Sequence, residues 1–240
     1  MSQSQLKQDI KVLEYFNNKK QGYFLEVGAS DGIELSNTYL LEKSYDWTGI
    51  CIEPIPKVYE KLKLNRSCLT ENKAIYNQSN IDVEFSIANC HTLLSGIPTH
   101  LDQHKEKVNN DKEDIIVSTL TLEDLLIKHN SPKFIEYMSL DTEGSEYEIL
   151  KVFDFNKYKF GLIDIEHNYI EPRRTMIRDL LLENGYKYIG ENKWDDSYKL
   201  YHTSKIFNKM KKRNLYFLKD CNNSKSMISG FYHFVRPTVP

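Results

Sequence analysis

Short runs rich in β-branched and aromatic residues alternate with helical patterns along this chain of 240 residues. Four of these runs are predominantly apolar, as strands buried on both faces of a sheet require: Tyr23–Val27, Trp47–Ile52, Phe134–Leu140 and Phe160–Ile165. Because the segments between them include helical patterns long enough for crossover helices, the sequence predicts an α/β domain built on a parallel sheet.

Weaker patterns mark both ends of this region. An opening amphipathic helix is indicated by apolar residues at helical spacing, namely Leu6, Ile10, Leu13 and Phe16. The last two runs, Tyr186–Ile189 and Tyr198–Tyr201, predict a hairpin. Asp195 and Asp196 fall in its expected turn, where aspartate is common, so we interpret both as turn formers.

The middle of the chain predicts two more strands, at Leu69–Ile75 and Val83–Ile87. The following stretch, Asn89–Asp114, is polar, contains histidines and lacks periodicity, which is typical of a long loop or lid. Within it, His91 and Ser95 are expected to face a substrate on the basis of loop position alone.

Three of the predicted strands end in acidic or glycine-containing turns. Gly28–Gly32 follows the first strand, Glu53 follows the second, and Asp141–Gly144 follows the strand at Phe134–Leu140. In an open parallel sheet, ligands bind beyond the carboxyl ends of the strands. The sequence therefore predicts that these three turns form one pocket.

The glycine spacing of the first turn narrows the choice of ligand. Gly28 and Gly32 lack the G-x-G-x-x-G arrangement that seats a pyrophosphate at a helix N-terminus. Glu53 lies 21 residues after Gly32, and a carboxylate at this position accepts hydrogen bonds from both hydroxyls of a ribose. A ribose without a pyrophosphate favours S-adenosylmethionine over NAD.

Several motifs resemble those of the FkbM family of S-adenosylmethionine-dependent methyltransferases. They are Val27-Gly-Ala-Ser-Asp-Gly32, Leu35-Ser-Asn-Thr38, Ile52-Glu-Pro54, Leu140-Asp-Thr-Glu-Gly-Ser-Glu146 and Gly185-Tyr186, and they cover roughly residues 20–202. The resemblance implies a Rossmann-like class I methyltransferase fold: a seven-stranded, mostly parallel sheet with an antiparallel terminal hairpin and helices on both faces. It also implies O-methylation of a sugar hydroxyl, on a nucleotide-linked sugar or a surface polysaccharide such as a capsule.

The resemblance assigns roles to residues at the predicted strand ends. The methionine portion of S-adenosylmethionine is expected to contact Glu26, Gly28, Asp31 and Gly32, with Ser36 and Asn37 closing that end. Glu53 is expected to bind the ribose, and Asn72–Ala74, including Ala74, to border the adenine. Asp141, Thr142 and Glu143 are expected near the sulfonium and the acceptor.

Methyl transfer to a sugar hydroxyl requires a base, because the hydroxyl is a poor nucleophile until its proton is removed. Asp141, Glu143 and His167 are the candidates, and the alternative for His167 is a strand-end histidine bonded to backbone. Asp141, Glu166 and His167 are also a possible ligand set for a divalent ion such as magnesium. We favour a metal-free base over this ion.

Composition limits the class of protein. The four cysteines, Cys51, Cys68, Cys90 and Cys221, lack the spacing of a zinc site and are expected to be free thiols. No apolar run reaches the roughly 20 residues of a membrane span, and the first residues do not resemble a signal peptide. These features predict a soluble, cytoplasmic protein.

The charge distribution suggests two parts, residues 1–202 and a basic extension at residues 203–240. The extension has eight basic residues and one acidic residue, whereas the rest of the chain is net acidic. A basic extension suits a polyanion or phosphorylated substrate, and a solvated helix face or a homo-oligomer contact remains the alternative. The few basic residues of the extension do not favour nucleic-acid binding, and an RNA methyltransferase is therefore only an alternative function. A non-catalytic S-adenosylmethionine-binding protein is the other alternative.

Overall fold

The computed structural model describes residues 1–88, 94–101 and 111–201. His91, most of the predicted lid and the basic extension therefore lie outside the described residues. The helices are α1 (Gln8–Tyr15), α2 (Tyr39–Tyr45), α3 (Pro56–Asn65), α4 (Leu122–Lys128), α5 (Glu146–Leu150) and α6 (Arg173–Glu183). The strands are β1 (Tyr23–Val27), β2 (Thr48–Ile52), β3 (Leu69–Glu71), β4 (Ala74–Ile75), β5 (Asp82–Ala88), β6 (Lys112–Leu120), β7 (Phe134–Leu140), β8 (Lys159–Glu166), β9 (Tyr186–Asn192) and β10 (Asp195–Leu200).

Seven strands form one sheet in the order β3-β2-β1-β7-β8-β10-β9. The first five are parallel to their neighbours, and β10 pairs antiparallel with both β8 and β9. This confirms the predicted parallel sheet with a terminal hairpin. The chain leaves β1 toward β2 on one side and later returns to β7 on the other, so β1 and β7 flank the point where the strand order reverses.

Helices cover both faces of this sheet, as predicted. Alternate residues of β1 point to opposite sides, with Leu25 in one core cluster and Phe24 in the other. Leu125 of α4 and Ile177 of α6 pack with Leu25, and Leu62 of α3 packs with Phe24. The central strands β1, β2, β7 and β8 are thus buried on both faces, which explains their apolar runs. No described helix is long and apolar enough to cross a membrane.

A second, three-stranded sheet in the order β4-β6-β5 corrects two predictions. The run Leu69–Ile75 is not one strand: β3 ends at Glu71, and β4 joins the other sheet. The stretch assigned to a loop up to Asp114 is also wrong at its end, because β6 begins at Lys112 and pairs with β5 from Lys112 to Ser118. β6 begins with three charged residues, Lys112 to Asp114, and these hide the apolar strand pattern of the residues that follow.

Candidate active site

A cavity of about 500 Å³ lies at the carboxyl ends of β1, β2, β7 and β8, at the reversal of strand order. This volume falls in the range of small-molecule sites. Most of the predicted site residues line it, namely Glu26, Gly28, Ser36, Asn37, Glu53, Ala74, Asp141, Thr142 and Glu143. Ser95 lines it as well. The structure therefore brings together the three turns that the sequence placed in one pocket.

Gly28 allows the ends of β1 and β7 to approach each other. Its φ angle is +85°, and a Cβ atom there would lie 2.0 Å from the carbonyl oxygen of Asp141. The Asp141 backbone N–H donates to the carbonyl oxygen of Val27 at 3.2 Å, which keeps the two strand ends in contact. Only glycine avoids both the strained backbone and the clash.

Glu26 is buried in the cavity wall, and its carboxylate is occupied by the protein itself. It accepts hydrogen bonds from the Ser36 hydroxyl and from the Asn37 backbone N–H at 2.6 Å. The buried Arg66 guanidinium, at 3.3 Å, offsets its charge. Glu26 therefore holds the loop between β1 and α2 in place. Arg66 was not predicted to belong to the site, because it follows α3 and approaches Glu26 only in the folded chain.

Glu53 is a buried carboxylate at the end of β2 that faces the cavity. Its Oε2 accepts from the Ser30 backbone N–H at 3.1 Å and its Oε1 from the Ile55 backbone N–H at 2.8 Å. Burial raises the pKa of Glu53 to about 7, although both hydrogen bonds oppose the rise. Hydroxyl groups that donate to this carboxylate would stabilise its charged form, which suits a ribose diol.

An apolar cluster adjoins Glu53. It contains Ile55, Ala74 of β4, Phe85 of β5 and Ile97, all of which line the cavity. Its surface suits a flat aromatic ring such as adenine. Ala74 was expected here, whereas Phe85 and Ile97 were not, because the sequence did not reveal that the second sheet packs beside β2.

The opposite part of the cavity is strongly acidic. Carboxylate oxygens of Asp141, Glu143 and Glu166 lie within 4.8 Å of one another. Burial, followed by the charges of Asp195 and Glu146, raises the pKa of Asp141 to about 7. Burial and the nearby Asp141 raise the pKa of Glu143 to about 9 and that of Glu166 well above its usual range.

Asp141 is the accessible member of this group, whereas Glu166 is buried. The hydrogen bond between the two lowers the pKa of Asp141 and raises that of Glu166. Glu166 therefore keeps the proton that the pair shares, and Asp141 is the carboxylate that ionises near neutral pH.

Glu146 shapes the loop that presents Asp141 and Glu143. Its buried Oε1 accepts from the backbone N–H and the hydroxyl of Thr142, both at 2.9 Å, and from the Gly144 N–H at 3.1 Å. Glu143 takes a left-handed backbone, with φ of 55°. This explains the spacing of the Asp-Thr-Glu-Gly-Ser-Glu motif, in which the last glutamate had received no role from the sequence.

Asp31 and Gly32 were expected at the cofactor but do not line the cavity. Asp31 Oδ1 accepts from the backbone N–H groups of Ile33 and Glu34, both at 2.9 Å, and so closes a turn. A Cβ atom on Gly32 would meet the side chains of Leu62 and Arg66. Both residues therefore shape the loop after β1 without lining the cavity.

His167 lies in a separate, smaller pocket with Arg174 and Asp196. Its Nδ1 accepts from the Tyr169 backbone N–H at 2.9 Å, and its Nε2 is 3.5 Å from Asp196 Oδ1. Burial lowers the pKa of His167. This geometry favours the alternative of a strand-end histidine bonded to backbone. It also separates His167 from Asp141 and Glu166, so the metal set considered from the sequence does not assemble.

Asp195 and Asp196 correct another interpretation, because both are buried within β10 and neither forms a turn. Arg174 and Arg178 bind Asp196 at 2.7 and 3.0 Å, away from the cavity. Asp195 lines the cavity and accepts from the Gln8 amide. The hairpin turn is shorter than expected, since β9 extends to Asn192.

The fold and this cavity define a Rossmann-like class I methyltransferase that uses S-adenosylmethionine. The chain belongs to the methyltransferase FkbM domain family, whose model matches residues 26–188. This confirms the resemblance seen in the sequence. No curated protein matches the sequence.

Solved structures similar to this chain include several methyltransferases. Precorrin-6y C5,15-methyltransferase from Geobacter metallireducens is 11% identical, with 79% of this chain and 84% of that chain covered and a TM-score of 0.40. A SAM-dependent methyltransferase from Aquifex aeolicus is 14% identical, with 81% and 89% covered and a TM-score of 0.39. A candidate RNA methyltransferase from Pyrococcus horikoshii is 10% identical, with 83% of each chain covered and a TM-score of 0.42.

Proposed function

We propose that this enzyme methylates a hydroxyl group of a sugar, on a nucleotide-linked sugar or a polysaccharide-bound sugar. The observation that supports this most directly is Asp141, an accessible carboxylate at the end of β7 with a pKa of about 7. A general base is most effective when its pKa lies near the working pH. A sugar hydroxyl needs such a base, because its own pKa is far above neutral.

The cavity fits S-adenosylmethionine in three parts. Glu53 would accept the ribose hydroxyls, the cluster around Ile55 and Phe85 would hold the adenine, and the acidic end would attract the positively charged methionine end. Gly28 and Thr142 border that end. The cofactor supplies a methyl group on a positively charged sulfur.

The protein's own contribution is to position the acceptor and to remove its proton. Asp141 takes the hydroxyl proton, while the protonated Glu166 donates a hydrogen bond to Asp141. Alignment of the acceptor oxygen with the methyl group supplies much of the acceleration.

The negative charge at the acidic end of the cavity argues against the alternative of an RNA methyltransferase. Asp141 and Asp195 line the acceptor end of the cavity and have pKa values of about 7 and about 6, so they ionise near neutral pH and repel a chain of phosphates. An uncharged sugar ring meets no such repulsion. We also propose a cytoplasmic location, a compartment in which cysteines such as Cys51 and Cys68 remain free thiols.

The test is a transfer assay with S-adenosylmethionine that carries a labelled methyl group. The full chain is incubated with nucleotide-activated hexoses, with bacterial polysaccharide and with total RNA. We expect label in a sugar, at an oxygen atom identified by mass spectrometry. Label in RNA alone would overturn the proposal, and so would cofactor binding without transfer to any sugar, which would support the non-catalytic alternative.

A further inference from the structure

The N-terminal segment, residues 4–8, forms part of the cavity wall. Ser4 forms a β-bridge with Leu35, and its hydroxyl donates to Asn37 Oδ1 at 2.7 Å. On the other side, the Asn192 amide donates to the Leu6 carbonyl oxygen at 3.0 Å. The segment therefore connects the loop after β1 with the turn between β9 and β10.

Gln8 is buried, and its amide orientation is set by the chain. Its Oε1 accepts from the Leu6 backbone N–H at 2.9 Å, so the amide nitrogen must point the other way. That nitrogen donates to Asp195 Oδ2 at 2.6 Å. Within the described part of the chain no group donates to Asp195 Oδ1. A buried carboxylate in the cavity wall is thus held in a single orientation.

Trp194 adds an aromatic surface beside this carboxylate. The indole lines the same cavity as Asp195 and is half-buried. Its Nε1 donates to Gln5 Oε1 at 3.2 Å, which fixes the ring against the N-terminal segment. The wall therefore combines an aromatic ring, two amides and a carboxylate, and Gln5 and Gln8 both line the cavity.

We propose that Gln5, Gln8, Trp194 and Asp195 form the acceptor subsite and that it binds an uncharged pyranose ring. This inference rests on the proposed function and names the residues that select its substrate. The position opposite Glu53 supports it, because the ribose and adenine regions occupy the other part of the cavity.

The chemistry of these side chains matches a pyranose in two respects. One face of the ring presents C–H groups that pack on an indole, while its hydroxyls lie at the rim. A fixed carboxylate accepts strong hydrogen bonds from two such hydroxyls, and amides both donate and accept. The carboxylates of Asp141 and Asp195 make an anionic group unfavourable in the same place.

The test uses saturation-transfer NMR on the full chain loaded with S-adenosylhomocysteine. The probes are the methyl glycosides of glucose, galactose, mannose and rhamnose, with adenosine monophosphate and a short oligoribonucleotide for comparison. We expect saturation of the C–H protons of at least one glycoside. Trp194→Ala and Asp195→Asn should each lower the affinity for that glycoside about tenfold, as expected for loss of an aromatic contact or a charged hydrogen bond.

Matched controls are Gln3→Ala, just before this segment and not in the cavity wall, and Asp179→Asn on the exposed side of α6. Neither should change glycoside binding. Gln8→Ala is a second subsite variant, which should lower the affinity for the glycoside. Its affinity for S-adenosylhomocysteine, measured by calorimetry, should stay unchanged, and this would show that the variant is folded.

The outcomes separate this inference from the proposed function. Glycoside binding that is unaffected by Trp194→Ala and Asp195→Asn overturns the subsite and leaves a sugar methyltransferase in place. Binding of the oligoribonucleotide but of no glycoside overturns both. Failure of the full chain to bind S-adenosylhomocysteine counts against the proposed function itself.

Discussion

Replacing Glu53 with glutamine keeps the shape of the side chain and removes its charge. In the structure the two carboxylate oxygens accept from the backbone N–H groups of Ser30 and Ile55. A glutamine has only one oxygen, so its NH2 group must face one of these donors. The variant therefore loses a backbone hydrogen bond as well as the charged acceptor for the ribose.

The size of the effect follows from the type of hydrogen bond. A bond to a charged group contributes about 1.5–3 kcal/mol and one between neutral groups about 1 kcal/mol. Exchanging a charged acceptor for a neutral one at two ribose hydroxyls should therefore cost about 2–3 kcal/mol, which is about 30- to 150-fold in Kd.

The pH dependence gives a second signature. The pKa of Glu53 is about 7 in the free protein, and donors from the ribose favour its charged form, so the pKa falls on binding. Affinity of the wild type should then decrease as pH drops below about 7, by up to about tenfold per unit. Asp141 contributes similarly in both proteins, so only the difference between them reports Glu53.

Calorimetric titration with S-adenosylmethionine between about pH 5.5 and 8 measures both effects. Glu60→Gln is the matched control, because this exposed glutamate on α3 pairs with Lys63 at the surface and does not line the cavity. The reasoning is refuted if Glu53→Gln binds the cofactor as tightly as the wild type at every pH.

Three further predictions concern the base, the strand ends and the histidine. Asp141→Asn should lower turnover by about 10²- to 10⁴-fold and remove the decline in rate below pH 7; an unchanged pH–rate profile would exclude Asp141 as the base. Gly28→Ala should destabilise the protein by about 2–3 kcal/mol in urea denaturation and abolish cofactor binding, whereas wild-type stability would contradict the clash with Asp141. His167→Gln should cost about 1–2 kcal/mol of stability and leave turnover within about twofold; a collapse of turnover with intact cofactor binding would restore His167 as a catalytic base.

Features set by neighbouring residues were predictable from the sequence. The strands at Tyr23–Val27 and Phe134–Leu140 were located to the residue, because apolar periodicity and turn chemistry act over a few positions. The common pocket was predictable for a related reason. Gly28, Glu53 and Asp141 each end a parallel strand, and parallel strands bring their carboxyl ends to one edge.

Features that depend on distant residues were decided by the tertiary structure alone. His167 follows β8 just as Asp141 follows β7, yet the His167 ring lies in another pocket. The side chain that lies beside Asp141 is that of Glu166. Gln8 reaches Asp195 across 187 positions of sequence. Sequence patterns fix which residues end a strand, because that is a local property, whereas the direction of a side chain at that end depends on what the rest of the chain packs against it.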